Sequence, residues 1–270
     1  MAAALTTAFI IAFNVGPARA GDRVLVQSTT STKNAGLYKH LAPLIKADTG
    51  LVLSVVAVGT GQAIRNAQRC DGDVLLVHAR AAEEAFVAAG YGIKRHNLMY
   101  NDFVIVGPAA DPAGVAGMKA PAQALTAIAR KRALFASRGD NSGTHTKERA
   151  LWAEAGVKPQ DASGRWYRET GSGMGATLNI AVGMGAYTLS DRATWLSFKN
   201  KRGFKVLVEG DAALFNQYGV IAVNPKACAN VRAAHATKLI SWLLSKRGQA
   251  AIAAHKVDGQ QLFFPNAQGQ

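Results

Sequence analysis

The sequence predicts an α/β protein built as two doubly wound lobes, joined by two crossover strands around a ligand cleft. Three observations carry that expectation. Short apolar, β-branched runs alternate with segments of helical periodicity through the first ninety or so residues, the rhythm of parallel strands joined by crossover helices. Several of these strands run straight into turns rich in hydroxyls or glycine, at Ser28–Thr32, Gly59–Gln62 and Ser137–Thr144. In wound sheets ligands gather at the carboxyl ends of strands, where such turns lie. The turns occur in the first third of the chain and again in its middle, as two facing lobes would supply them.

Each element follows from local pattern. Arg23–Gln27 is a short apolar strand that enters five consecutive hydroxyl residues, Ser28–Thr32, read as a loop. Helical periodicity then runs over about Ala35–Asp48, with Leu37, Leu41, Leu44 and Ile45 on one face and Gly50 as its stop. Val52–Val58 is a second strand, meeting Gly59-Thr60-Gly61-Gln62 and a helix to about Gln68. Asp73–Val77 is a third, ending at His78, with a helix over about Ala81–Ala89 whose Glu83-Glu84 pair reads as a solvated first turn. Asp102–Val106 and Tyr218–Val223 are strands placed to cross between lobes. Between them come a helix at about Ala120–Arg130, the run Ala133–Ala136, a helix over Thr144–Ala155, the glycine loop Gly171–Gly175 with a helix to Met184, and strands at Ala186–Leu189 and Val206–Glu209. Helices over Val231–Ser245 and Lys246–His255 and a packed tail at Leu262–Pro265 complete the chain. The predicted division is 1–20 as a signal peptide, 21–103 with 218–270 as lobe I, and 104–217 as lobe II.

An apolar fraction of 49% with 18% charged residues, over 270 residues, is the composition of a folded chain with a real core. The formal charge of +14 is scattered along the chain, in no long run and not alternating with aromatics. That argues for a basic surface attracting anions and against a nucleic-acid partner. Ala2–Phe13 is an apolar stretch ahead of Ala18-Arg19-Ala20, an A-x-A cleavage pattern, so an exported, periplasmic chain starting near Gly21 is expected. Glycine rather than cysteine at that point argues against a lipid anchor. The cysteines, Cys70 and Cys228, are free to pair in an oxidising compartment, and spacing leaves bridge and no bridge open.

The chemistry concentrates in Ser137-Arg-Gly-Asp-Asn-Ser-Gly-Thr-His145. Amide N–H groups at a helix head have no partner within the helix and favour a negative ligand. Arg138 adds a permanent charge with a planar fork of donors, while Ser142 and Thr144 can donate or cap the helix. The bland alternative is an N-cap beside a surface pair of Arg138 with Asp140. Ser142 with His145 also invites a serine-hydrolase reading, but the serine is not in a Gly-x-Ser-x-Gly elbow and no third group orients the histidine. No enzyme activity is expected. A regulator of transcription would need an appended helix-turn-helix, which the chain does not show.

With those residues in view, the chain resembles the substrate-binding proteins of bacterial tungstate ABC importers. The segments that carry the resemblance are Ser28–Thr32, Val58–Gln62, Asp73–His78, Met99–Pro108, Ser137–His145, Gly171–Gly175, Ala186–Arg192, Glu209–Asp211 and Leu262–Pro265. It implies a type II periplasmic-binding-protein fold that closes on a tetrahedral oxyanion and delivers it to a membrane permease. It also implies a monomer with no cofactor beyond the ligand. Carried over by position, Thr29, Thr30, Ser31 and Thr60 would contribute from the first lobe and Arg138, Ser142, Gly143 and Thr144 from the second, with Gly173 and Arg192 as further contacts. Ala79-Arg80 departs from the family's Ser-Pro after the histidine.

The same central motif is similar to one in phosphate-binding proteins. Hydrogen phosphate carries a proton and needs an acceptor, whereas tungstate, molybdate and sulfate need donors alone. The first-lobe turns hold no carboxylate. Asp140 is expected to brace Arg138, and Asp73 to lie at the far end of its strand, so tungstate or molybdate is the expected ligand.

Overall fold

The computed structural model describes residues 22–267. The signal-peptide expectation falls on 1–20, outside the described residues. In chain order the elements are β1 (Arg23–Thr29), α1 (Thr30–Asn34), α2 (Leu37–Thr49), β2 (Val52–Val58), α3 (Thr60–Gln68), β3 (Val74–Val77) and α4 (Arg80–Ala88). There follow β4 (Gly92–Pro108), α5 (Pro121–Lys131), β5 (Phe135–Ser137), α6 (Gly143–Glu154), β6 (Tyr167–Glu169), α7 (Met174–Met184), β7 (Thr188–Asp191), α8 (Arg192–Ser197) and β8 (Phe204–Val208). The chain closes with β9 (Phe215–Val223), α9 (Ala233–Leu244), α10 (Lys246–Ala253) and three two-residue strands, β10 (Lys256–Val257), β11 (Gln260–Gln261) and β12 (Phe264–Pro265).

The main sheet runs β12-β4-β9-β3-β1-β2. Its β1, β2 and β3 are parallel, as βαβ winding requires, with α2 and α3 as crossovers. β9 returns antiparallel to β3 and continues along β4. The spine is β4. Residues Gly92–Asp102 pair with β9, whereas Phe103–Pro108 pair with β7 and β8. One strand therefore serves two sheet regions. A parallel β5–β6 pair attaches beside β7 through the Phe135–Tyr187 bridge.

The apolar packing divides accordingly. Two clusters draw on β1, β2, β3, α2, α3, α9 and α10, and two on α5, α6, α7 and β5. They part between Met99 and Phe103 and again between Leu214 and Tyr218. α8 leans across the divide, packing Ala193 and Leu196 into the first of these cores. Cys70 and Cys228 form a disulfide that ties the end of α3 to the segment after β9.

Several expectations are corrected. The hydroxyl run is not a loop: Thr30–Asn34 is a helical turn capped by Thr29, and the next helix starts at Leu37, after Gly36 in the left-handed region. β4 begins ten residues before Asp102 (102 − 92), and β9 begins at Phe215. β6 and α8 were not anticipated. Glu83 is buried rather than solvated, held by Arg95 at 2.6 Å and by the Ala79 N–H at 2.6 Å.

Candidate functional site

The anticipated turns converge because each lies at the carboxyl end of a strand on the side where the two sheet regions meet. The head of α6 meets the head of α3: the Gly143 N–H donates to Thr60 Oγ1 at 3.0 Å. A Cβ placed on Gly143 would lie 2.9 Å from His78 Cε1, so only glycine lets the two helix heads approach this closely. The cap of α7 faces α1: a Cβ on Gly173 would lie 3.4 Å from Thr30 Oγ1. Thr194 of α8 reaches the Ser31 carbonyl at 3.4 Å. Heads of α1, α3, α6 and α7 thus aim their unpaired amides at a common region, an arrangement that favours an anion.

The side chains there are buried, and most are donors. Arg138 is 2% exposed, its Nε on the Ser172 carbonyl at 3.3 Å and its Nη2 on Asp140. Asp140 also accepts from the Ser142 N–H at 3.2 Å, so it shapes the turn as well as bracing the arginine. Gly139 and Asn141 take positive φ, +60° and +54°, which wraps the turn around the guanidinium. Thr30 Oγ1 and Thr144 Oγ1 are fully buried and have no hydrogen-bond partner among the described residues. A buried hydroxyl left unpaired costs about 1–3 kcal/mol, so two such groups at two of the converging helix heads mark a place where a ligand completes the set.

The other anticipated residues are present in altered roles. Thr29 caps α1 and shares hydroxyl contacts with Ser31 at 3.1 Å and Thr32 at 2.7 Å. Ser142 caps α6, accepting from the His145 N–H at 3.2 Å. Thr60 accepts from Gly143, so that amide is spent between the helix heads rather than facing a ligand, while the Thr60 hydroxyl hydrogen stays free. Arg192 corrects the reading most sharply. Its guanidinium grips Asp102 at 2.7 and 2.6 Å and Glu209 at 2.7 Å, bracing β4 against the loop after β8 instead of reaching for an anion.

Three residues were missed as site residues. His78, at the end of β3, contacts Ser31 Oγ through Nε2 at 3.3 Å and Asn216 Oδ1 through Nδ1 at 3.0 Å. Asn216 in turn donates to Asn101 at 2.7 Å, the residue opposite it on β4. Burial pushes His78 down to about 4, and the nearby Arg138 charge adds to that, so the imidazole is neutral at pH 7. Asp191 is the third. It caps α8 through Oδ1 on the Thr194 N–H at 2.8 Å, is fully buried, and leaves Oδ2 without a partner among the described residues. Burial raises its pKa, against the Arg138 charge.

Asp73 lies at the opposite end of β3, accepting from the Leu25 N–H at 2.8 Å and the Arg232 N–H at 2.7 Å. The hydrolase geometry is absent at Ser142. His145 Nδ1 accepts from the Asn141 N–H at 3.0 Å and therefore cannot take a proton from the serine. A cavity of about 550 Å³ opens beside the helix heads, walled by Ile64, Phe103, Lys147 and Phe215, with Arg80 at its edge in an exposed pair with Glu84.

A strand shared between two sheet regions, helix heads converging on a buried arginine, and unpaired hydroxyls define a two-lobed solute-binding protein. In agreement, the PBP superfamily domain matches residues 16–247. The tungstate-binding protein TupA of Peptoclostridium acidaminophilum is 46% identical over 254 residues, covering 92% of this chain and 87% of its own. Among solved structures, TupA from Desulfovibrio alaskensis G20 superposes with a TM-score of 0.79 at 48% identity, covering 92% of this chain and all of its own. A tungstate ABC transporter structure from Geobacter sulfurreducens gives 0.79 at 47%, covering 87% and 99%. The chain belongs to the TupA tungstate-binding family of the PBP superfamily.

Proposed function

We propose that this protein captures a tetrahedral oxyanion, tungstate or molybdate, in the periplasm and delivers it to the permease of an ABC importer. In this reading it works as a monomer without a cofactor, with residues 21–103 and 218–270 as one lobe and 104–217 as the other. The observation that carries the reading is the pair of buried hydroxyls, Thr30 and Thr144, unpartnered among the described residues, at the heads of α1 and α6 where the turn of buried Arg138 also converges. Ser31, Thr60, Ser142 and the amides around Gly173 complete the proposed donor set. The relatives' named ligand supports tungstate. Their transport context supports the permease partner. Donors also match the chemistry of an ion that carries no proton at neutral pH. Asp140 and Asp73, the carboxylates on which a phosphate reading depended, are engaged on Arg138 and on strand amides.

One observation favours hydrogen phosphate as a second reading. Asp191 Oδ2 is a buried acceptor without a partner among the described residues, in range of the Arg138 charge. Thermal titration with tungstate, molybdate, sulfate and phosphate separates the two. At a hundred times its dissociation constant a ligand specific to the folded state adds about 2.7 kcal/mol, about 5–10 °C for a chain of this size. Tungstate is expected to give that shift, phosphate none, and Arg138→Ala to abolish it. A shift with phosphate and none with tungstate would transfer the function to phosphate and make Asp191 the acceptor.

A further inference from the structure

The hydrogen bonds around His78 have a direction. Asn216 gives its amide N–H to Asn101 Oδ1, which leaves Asn216 Oδ1 facing His78. A carbonyl oxygen only accepts, so His78 carries its hydrogen on Nδ1 and presents a bare Nε2 to Ser31. Ser31 must then donate its only hydroxyl hydrogen to His78. The contacts behind it run the same way, Thr32 onto Thr29 and Thr29 onto Ser31. In the free protein Ser31 therefore offers an arriving anion lone pairs and no hydrogen.

Charge counting meets the same obstacle. The charge felt by His78 is that of Arg138, which is paired with Asp140 and in range of Asp191 at the head of α8, while Tyr218 of β9 stacks under the ring at 4.8 Å. Arg80 and Lys147 share the cavity wall with His78, Arg80 in its exposed pair with Glu84 and Lys147 with Nζ on the Ala213 carbonyl at 2.9 Å. Arg138 is already paired with Asp140 and Arg80 with Glu84, and Lys147 is turned onto a backbone carbonyl, so the buried side chains next to the Ser31–His78 contact bring little net positive charge to a doubly negative ligand. Helix heads supply only partial charge.

We propose that His78 is a ligand-positioning residue that takes up one proton from solvent at Nε2 when the oxyanion enters, becoming imidazolium. The new N–H donates to Ser31 Oγ, and the Ser31 hydrogen turns toward the ligand. No bond other than Nε2–H forms, and the proton comes from water or buffer. The step makes one donor where there was an acceptor and adds the positive charge that the pair Arg138–Asp140 withholds. Through Asn216 and Asn101, facing each other on β9 and β4, the charged ring also ties ligand occupancy to the strands that join the two sheet regions.

The inference rests on the oxyanion-capture reading, and the experiment separates the two. Sodium tungstate is titrated calorimetrically into the mature protein at pH 7.0 and 8.0, in buffers of differing ionisation heat, so that the slope of heat against buffer heat counts protons. Wild type is expected to take up a proton, up to one per tungstate, with affinity falling as much as tenfold per pH unit as pH rises between the free and bound pKa of His78. Asn216→Asp places a carboxylate against Nδ1 and charges His78 before the ligand arrives; it is expected to bind tungstate with uptake reduced toward zero. His78→Gln is expected to remove the uptake and weaken binding. Binding by wild type with no proton exchange at either pH overturns the proposal and leaves oxyanion capture intact. Uptake that persists in a folded His78→Gln variant also overturns it, since the proton then goes elsewhere. Absence of tungstate binding by folded wild type defeats the capture reading and this one together.

Discussion

At the scale of single residues, burial sets the protonation states that matter. Glu148 lies on α6 beneath the Arg138 turn, 2% exposed, receiving the Tyr167 hydroxyl at 2.7 Å. Burial pushes its carboxyl up to about 7, and the donors around it only partly offset that. A folded-state pKa above the unfolded value means the folded chain holds this proton more tightly. The stability it contributes is full below about 4.5 and is lost as pH rises through about 7. Glu148→Gln keeps an acceptor for Tyr167 and removes the titration. Relative to wild type it is expected to gain up to about 3 kcal/mol between pH 4.5 and 8. Urea denaturation of both proteins at the two pH values checks this, and a difference that does not change with pH would mean that folding does not raise the Glu148 pKa. The same scale shows what a sequence reveals about a site. Arg138, Ser142 and Thr144 could be nominated from sequence because their chemistry lies in one contiguous turn, which the structure carries to the candidate site. His78 was not, because its partners Ser31 and Asn216 are 47 and 138 residues away. Arg192 was misread for the same reason: a basic residue after a strand looks like an anion contact until Asp102, 90 residues distant, is brought against it.

At the scale of elements, the joints between helices and strands carry the function. α6 begins at Gly143, where hydrogen covers the space a methyl group would need beside His78 and Thr60. Gly143 has an ordinary helical backbone, so Gly143→Ala costs the helix little in propensity. The methyl would force the head of α6 away from His78 and α3, because His78 is held between Phe103 and Tyr218 and cannot yield. The variant is expected to keep wild-type thermal stability within about 1 kcal/mol in the free form while binding tungstate at least about tenfold more weakly, a difference of roughly 1.4 kcal/mol. Calorimetry beside a thermal scan distinguishes this from general destabilisation, and unchanged affinity would show that the helix heads need not approach this closely. Strong local periodicity made most elements readable. The start of β4 was hidden because Lys94, Arg95, His96 and Asn97 give it no apolar alternation; pairing with β9 makes it a strand. β6 and α8, of three and six residues, are too short to impose a period.

At the scale of the whole molecule, the chain crosses between the two sheet regions and comes back. The alternation of strands and helices made the winding legible, but the return of β9 beside β3 and the packing of α9 onto β1 and of α10 onto α2 are long-range events. The disulfide fastens that return, joining cysteines 158 residues apart. Cross-linking so long a loop mainly restricts the unfolded chain, with a typical contribution of 2–4 kcal/mol and an upper range near 5. The bond lies at the far end of α3 from Thr60: Thr60 begins the helix at the candidate site, and Cys70 follows its last residue by two positions (70 − 68). Its loss should therefore lower stability without altering the site. The Cys70→Ser/Cys228→Ser double variant is expected to unfold about 2–5 kcal/mol more easily in urea. Its tungstate affinity, measured well below its unfolding transition, is expected to remain within about twofold of wild type, because the helix heads are positioned by the strands they follow, β1, β2 and β5. A large loss of affinity in a protein still fully folded would instead mean that the bridge, through α3, sets how closely Thr60 meets Gly143.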